Sequence, residues 1–374
     1  MINILEMPTF GVGKAKEKEG QENKELDLFF EAYAGSELAR KLDVQTKEGG
    51  RTKSLFTDVD DTFFRAGKEK SAEEIEKKLK EKNIPLIAVT GNGFQGLYRR
   101  IESGELPFFD TIIGAVGTEI WYLQKSQDGK IEYKKDEYFD GLLRRMGFER
   151  ESLVRKSLEF ISQMKERRPE ADLDFQNPEE ERKFLRGEKA DCQPYKISFY
   201  FYSDKELLDE VAGSIKEKFS GQAGVICEEI GYNRKLQPGE TRKKYCLDIL
   251  PMTKGDAVNY LTNMAGIKQG IVAGDSGNDV GMLLNTDNLN AVLVGGYKAE
   301  VLASVSAAIS AEGKKAGRRS FQKIERPDGS IKVIYIEPNS EKRKASESIL
   351  RASEILFRAE NISRIRRAKL EKEV

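Results

Sequence analysis

The sequence predicts an α/β fold: a doubly wound, mainly parallel sheet interrupted by an inserted α+β domain. Three observations carry this. Short apolar runs, Leu55-Phe56, Leu86-Ile87-Ala88-Val89 and Thr111-Ile112-Ile113, alternate with helical stretches, the rhythm of βαβ units. From about residue 122 to 245 the chain turns richer in charge and aromatics, and alternating strands such as Lys196–Phe201 replace continuous ones. The first rhythm then resumes near Pro251.

Taken in order, residues 1–50 form an extension. Lys14 to Lys24 is charged and reads as a solvated linker, whereas Leu26, Phe29, Phe30, Tyr33, Leu38 and Leu42 recur at helical spacing and predict a docking helix or two. Ser71 followed by Glu74 reads as a capping box for a helix to Lys82, which Asn83-Ile84-Pro85 breaks. The continuous run Leu86–Val89 fits a parallel strand covered on both faces, and Phe94 to Glu102 fits a helix. Within the insert, helices are expected at Gly141–Phe148, Arg150–Arg167 and Asp204–Phe219. After it come a helix from Lys254, a strand Gly270–Ala273, a helix from Val280 and a strand Ala291–Val294. Arg326-Pro327-Asp328-Gly329 predicts a hairpin turn, and residues 341–372 a long helix with a basic end. The expected organisation is 1–50 extension, 51–121 and 247–310 core, 122–246 insert, and 311–374 hairpin and helix.

Composition narrows the function. Lys+Arg and Asp+Glu balance at 63 each, which leaves no net field to draw a polyanion or membrane surface. The chain has no histidine, so Ser-His and Cys-His nucleophile pairs and His-ligated zinc are excluded. Cys192, Cys227 and Cys246 have neither disulfide nor metal spacing and read as reduced thiols of a cytoplasmic protein. No apolar run is long enough to span a membrane, and the expectation is a chain without a signal peptide.

Two acidic clusters follow apolar runs: Asp58-Val59-Asp60-Asp61-Thr62 and Gly274-Asp275-Ser276-Gly277-Asn278-Asp279. Carboxylates so close repel unless a cation sits among them. In a doubly wound fold, ligands bind beyond the carboxyl ends of the strands. Both clusters, Thr90-Gly91-Asn92 and Lys254 fall at that edge. Carboxylates there suit Mg²⁺; a lysine, a hydroxyl and turn amides suit phosphate. A carboxylate beside both can act as a nucleophile. Singly, Asp61 reads as a turn or cap residue and the run Phe199–Tyr202 as a half-buried strand.

These four stretches, in this order, resemble the signature motifs of the haloacid dehalogenase-like phosphatases: Asp58-x-Asp60-x-Thr62, Thr90-Gly91, Lys254 and Gly274–Asp279. The insert looks like that family's C2-type cap. Within the family the chain is most similar to the sucrose-phosphate phosphatase branch, through Val116-Gly117-Thr118-Glu119-Ile120, Tyr195–Tyr200 and Leu247-Asp248-Ile249-Leu250-Pro251, over about residues 52 to 305. The resemblance implies Asp58 as nucleophile, Asp60 as acid–base, and Thr90, Gly91 and Lys254 as phosphate ligands. It implies Mg²⁺ held by Asp58, the Asp60 carbonyl and Asp275, with Asp279 and Asn278 supporting and orienting the site. Asn92 stands where this branch usually has arginine, and Tyr195-Lys196 where it often has histidine-lysine. Asn92, Glu119 and Lys196 are the candidate sugar contacts. The expectation is a phosphatase of a sugar phosphate, sucrose 6-phosphate-like. The alternatives are a sugar phosphomutase of the phosphomannomutase type, or a non-catalytic binder acting through its C-terminal helix. That helix is also the expected surface of a homo-oligomer.

Overall fold

The computed structural model describes residues 27–64, 70–126, 128–203, 205–231, 243–311, 321–325, 331–338 and 346–353. A nine-stranded sheet in the order β12-β13-β11-β10-β1-β2-β3-β4-β5 forms the core. Its central strands are β1 (Lys53–Thr57), β2 (Leu86–Val89), β3 (Thr111–Gly114), β10 (Gln269–Gly274) and β11 (Leu289–Leu293), all parallel. Every residue of β2 and β3 is buried, as expected of strands covered on both faces. Helices α2 (Lys70–Glu81), α3 (Phe94–Glu102), α8 (Lys254–Met264), α9 (Val280–Asn285) and α10 (Ala299–Ala311) are the crossovers and covers. A four-stranded antiparallel sheet, β6-β7-β9-β8, makes the cap. Its strands are β6 (Asp174–Phe175), β7 (Ile197–Ser203), β8 (Gly224–Gly231) and β9 (Lys243–Leu250). In β7 burial alternates strictly, Ile197, Phe199, Phe201 and Ser203 inward. Helices α5 (Arg150–Arg167), α6 (Pro178–Leu185) and α7 (Lys205–Phe219) complete the cap. No helix among the described residues is long and apolar enough to cross a membrane.

The boundaries differ from those read in the sequence. Strand β4 (Glu119–Lys125) pairs antiparallel with β3, and β5 (Ile131–Lys135) with β4, which extends the core sheet to Lys135, past the expected limit at 121. The alternating, half-exposed pattern of β5 is that of an edge strand, which sequence composition alone does not separate from an inserted domain. Helix α4 (Glu137–Arg145), N-capped by Asp136, then leads toward the cap. At the return, Leu247–Leu250 still belong to the cap sheet, through β9. Beyond 310, β12 (Phe321–Glu325) and β13 (Ile331–Ile336) pair antiparallel as the predicted hairpin. β13 also pairs parallel with β11, which places the hairpin in the core sheet rather than in a separate tail.

Residues 27–33 are helical and lead to α1 (Glu37–Lys47), where Ser36 caps by accepting from Ala39 N at 3.1 Å. Phe29, Leu38 and Leu42 are buried. Ser71 is not a cap: α2 already includes Lys70, and the Ser71 hydroxyl instead meets that of Ser346. Residues 346–353 are helical, with Ile349 and Ala352 buried in their own chain's core. The rest of the predicted long helix, and the oligomer surface expected on it, lie outside the described residues.

Candidate active site

Strand β1 ends at Thr57, and Asp58 N donates to Ala273 O of β10 at 2.9 Å, so the first and last acidic clusters meet at one sheet edge. The chain then turns tightly, with Phe63 N and Phe64 N both donating to Val59 O and Asp61 at φ +60. Lys254 sits at the first position of α8, behind a capping box made by Thr253 and Asp256. Its side chain is 1% exposed, and Nζ donates to Asp58 Oδ1 at 2.8 Å and to Asp279 Oδ1 at 2.7 Å. Asp279 Oδ2 accepts from Asp275 N, Ser276 N and Ser276 Oγ, each at 3.1 Å. Thr62 Oγ1 donates to Asp275 Oδ1 at 2.9 Å. Gly274 permits this loop, because a Cβ there would lie 2.5 Å from that of Asp279.

The electrostatics follow from burial. Ligand oxygens of Asp58, Asp275 and Asp279 lie within 4.8 Å of one another. Burial and the neighbouring carboxylates raise the Asp58 carboxyl well above its usual range, against the pull of Lys254. Burial, then Asp279, pushes Asp275 up to about 7. Lys254 is raised, because Asp279 and Asp58 outweigh the effect of its burial. Lys254 thus bonds two of the three carboxylates and Lys298 bears on the third, so acids still outnumber ammonium groups. Asp279 spends both oxygens on protein donors, whereas Asp58 Oδ2 and Asp275 Oδ2 take no part in these bonds. Hard oxygen donors with surplus negative charge fit Mg²⁺.

Thr90, 1% exposed, follows β2 and accepts from Asn92 N at 3.1 Å through Oγ1. The turn after β3 buttresses it: Ala115 N donates to Asn92 O at 2.8 Å and Val116 N to Thr90 O at 3.0 Å. Ala115 and Val116 both have positive φ, +47 and +61. That backbone is strained for a β-branched residue, and strain of this kind gathers at sites.

Asp60 stands apart from the carboxylate cluster, its side chain 48% exposed. Arg100 of α3 donates to its Oδ1 at 2.7 Å and Asn92 Nδ2 to its Oδ2 at 2.8 Å. Between this edge and the cap lies a polar cleft of about 190 Å³, lined among others by Asn92, Gln176, Asn177, Asp191, Gln193 and Lys196. Lys196 Nζ reaches Gly91 O at 3.2 Å and Asp248 Oδ2 at 3.5 Å. Glu119, expected beside Lys196, does not line the cleft. One of its oxygens accepts from Phe94 N at 2.5 Å and the other from Trp121 Nε1 at 3.2 Å. It therefore caps the start of α3. The structure also brings Arg100, Thr62 and the cap's Glu228 to this edge, none of them among the sequence candidates. Thr62 carried a signal, as the last residue of the first motif; Arg100 and Glu228 carried none.

A doubly wound core with an inserted cap, and this set of acids, lysine and threonine at its edge, defines a capped phosphatase of the haloacid dehalogenase type. The family model described as sucrose-6F-phosphate phosphohydrolase matches residues 51–317, and the chain belongs to that family. The sucrose-phosphatase from Synechocystis sp. PCC6803, solved in complex with sucrose and phosphate, is similar with a TM-score of 0.52 and 22% identity, over 81% of this chain and 96% of that one. A haloacid dehalogenase-like hydrolase from Bacillus subtilis has a TM-score of 0.38 and 19% identity, over 71% and 97%. A subclass IIB sugar phosphatase of the superfamily has a TM-score of 0.40 and 16% identity, over 68% and 91%. The comparison with curated protein sequences gave no match. The chain is a phosphatase that acts on a sugar phosphate.

Proposed function

We propose that the protein is a Mg²⁺-dependent phosphatase of a sucrose 6-phosphate-like phosphomonoester, working through an aspartyl-phosphate on Asp58. The observation that carries this reading is the buried triangle of Lys254 with Asp58 and Asp279, set beside Asp275. Mg²⁺ would be held by the Asp58 and Asp275 carboxylates and the Asp60 backbone carbonyl, and would offset charge on the phosphoryl group. Asp279, saturated by its donors, supports the shell. Lys254, Thr90 and the Gly91 turn hold phosphoryl oxygens, and Asn278 orients them.

In the first step an Asp58 oxygen bonds to phosphorus while the phosphorus–sugar oxygen bond breaks. Asp60 gives its proton to the leaving sugar oxygen. In the second, water attacks phosphorus, Asp60 takes the water's proton, and the Asp58–phosphorus bond breaks to release phosphate. Arg100 and Asn92 hold the Asp60 carboxylate between steps. The groups act mainly by placing reactants and offsetting charge in a loose transition state.

The sugar would occupy the cleft under the cap. Its carboxamides, Asn92, Gln176, Asn177 and Gln193, each offer both a donor and an acceptor, as a sugar hydroxyl does. A relative solved with sucrose and phosphate is the basis for choosing a sucrose-like substrate. The free thiols Cys192, Cys227 and Cys246 are in keeping with a cytoplasmic enzyme.

The test is phosphate release from a panel of sugar phosphates including sucrose 6-phosphate, with Mg²⁺, with EDTA, and with Asp58→Asn. Release is expected to need Mg²⁺ and to vanish in the variant. Undiminished release in EDTA would remove the metal from the reading. Transfer of phosphate to a second sugar in place of water would replace hydrolase by mutase.

A further inference from the structure

Besides Lys196, the cap touches the core beside the phosphate site through a carboxylate, Glu228 of β8. Its Oε2 accepts from Asn278 Nδ2 at 2.7 Å and its Oε1 from Lys298 Nζ at 3.0 Å. Lys298 Nζ also donates to the backbone oxygen of Glu229, and Lys298 N donates to Asp275 O at 3.4 Å. The Glu228 side chain is only 16% exposed. At its other end Asn278 Oδ1 shares the single Ser276 hydroxyl hydrogen with Asp279 Oδ2, each at 3.1 Å from Ser276 Oγ. Its Nδ2 lies 3.6 Å from where a Cβ on Gly91 would be, so the amide sits over the phosphate turn.

A carboxamide nitrogen carries two hydrogens. Glu228 takes one, which sets the plane of the amide and leaves the other for a phosphoryl oxygen. A bare carboxylate so near a phosphoryl dianion would repel it. Lys298, paired with Glu228 across the same interface, offsets that charge.

We propose that Glu228 is a positioning residue: the cap supplies the carboxylate that orients Asn278 over the phosphate turn, so the phosphate site is complete only with the cap seated. This rests on the phosphatase reading and goes beyond it. It couples the element that encloses the substrate to the geometry of the phosphoryl site. A cap that lifts to release product also releases Asn278, which weakens the hold on phosphate at the moment it must leave.

The test compares Glu228→Ala, Glu228→Gln, Asn278→Ala and the Glu228→Ala/Asn278→Ala double variant. Each is read by hydrolysis of p-nitrophenyl phosphate, which has no sugar, and by calorimetric binding of inorganic phosphate with Mg²⁺ present. Loss of a bond to a charged acceptor predicts that Glu228→Ala weakens phosphate binding and kcat/KM by about tenfold. Glu228→Gln keeps an oxygen that can accept from Asn278 and is expected within about threefold of wild type. In the Asn278→Ala background, Glu228→Ala should change neither readout further, because its effect passes through that amide. Additive effects overturn the proposal. So does a Glu228→Ala variant that melts earlier yet binds phosphate as wild type does, which is the behaviour of a structural clasp. If wild type binds phosphate but cleaves no monoester, the phosphatase reading falls. The binding arm still decides whether Glu228 acts through Asn278.

Discussion

Replacing Lys254 by methionine removes the one ammonium that joins the two acidic clusters. In the native site it lies 2.8 Å from Asp58 and 2.7 Å from Asp279, fully buried. At an effective dielectric constant of about 20, each attraction is roughly 6 kcal/mol before desolvation is subtracted. Desolvation of the lysine and acids cancels much of this, and losing one partner of a buried pair costs about 3–5 kcal/mol. The variant should therefore lose about 3–5 kcal/mol, a large share of the roughly 5–15 kcal/mol that keeps a domain folded. The measurement is urea unfolding without divalent cations, at pH 7.5 and 5.5. The pH trend has a definite sign. The folded Asp58 and Asp275 carboxyls are raised, Asp275 to about 7, above an unfolded value of about 3.9. Between those limits the folded state keeps protons that the unfolded chain has lost. Stability is then full at low pH and falls as pH rises through the folded values. Loss of Lys254 removes the main influence lowering Asp58 and raises that carboxyl further. The deficit should be greatest at pH 7.5 and smaller at pH 5.5. A deficit under about 1 kcal/mol at pH 7.5, or one that grows on acidification, would refute the view of Lys254 as the buried counter-charge.

Two further outcomes follow from local geometry. Gly117 has φ +100, and a Cβ there would lie 2.4 Å from Thr253 O and 2.8 Å from Lys254 N; Gly117→Ala should lower kcat more than tenfold by shifting the start of α8, with a stability loss of about 2 kcal/mol or more seen in thermal melts. Burial pushes the thiols of Cys192 up to about 11 and Cys227 up to about 12, and raises Cys246 as well; with a free thiol near 8.5, labelling at pH 8 should be roughly 200-fold slower or more in native than in urea-unfolded protein.

The acids, the phosphate turn and Lys254 were legible because each is set by a few neighbouring residues. An apolar strand ends and a polar side chain follows, and the fold carries all such ends to one edge. The contacts of Arg100 and Glu228 depend instead on where a helix face and a separate cap come to rest, and nothing beside them in sequence records that. Glu119 is a candidate sugar contact in the sequence. The structure gives its oxygens to Phe94 and Trp121, because the β3–β4 turn packs against the start of α3. Strands β4 and β5 were misplaced for a different reason: an alternating edge strand of the core and a strand of the cap have the same polarity pattern.

The parallel ladder between β11 and β13 bears on any attempt to shorten the chain. The family match ends at residue 317, before β12 begins. A fragment cut there would strip β11 of the partner that pairs Ala291, Val292 and Leu293 with Ile334, Tyr335 and Ile336. The backbone groups of β11 that β13 pairs would then face solvent as an open template for another chain. Such a fragment would keep every acid of the site and yet be prone to self-association, because its outermost strand would be paired on one side only.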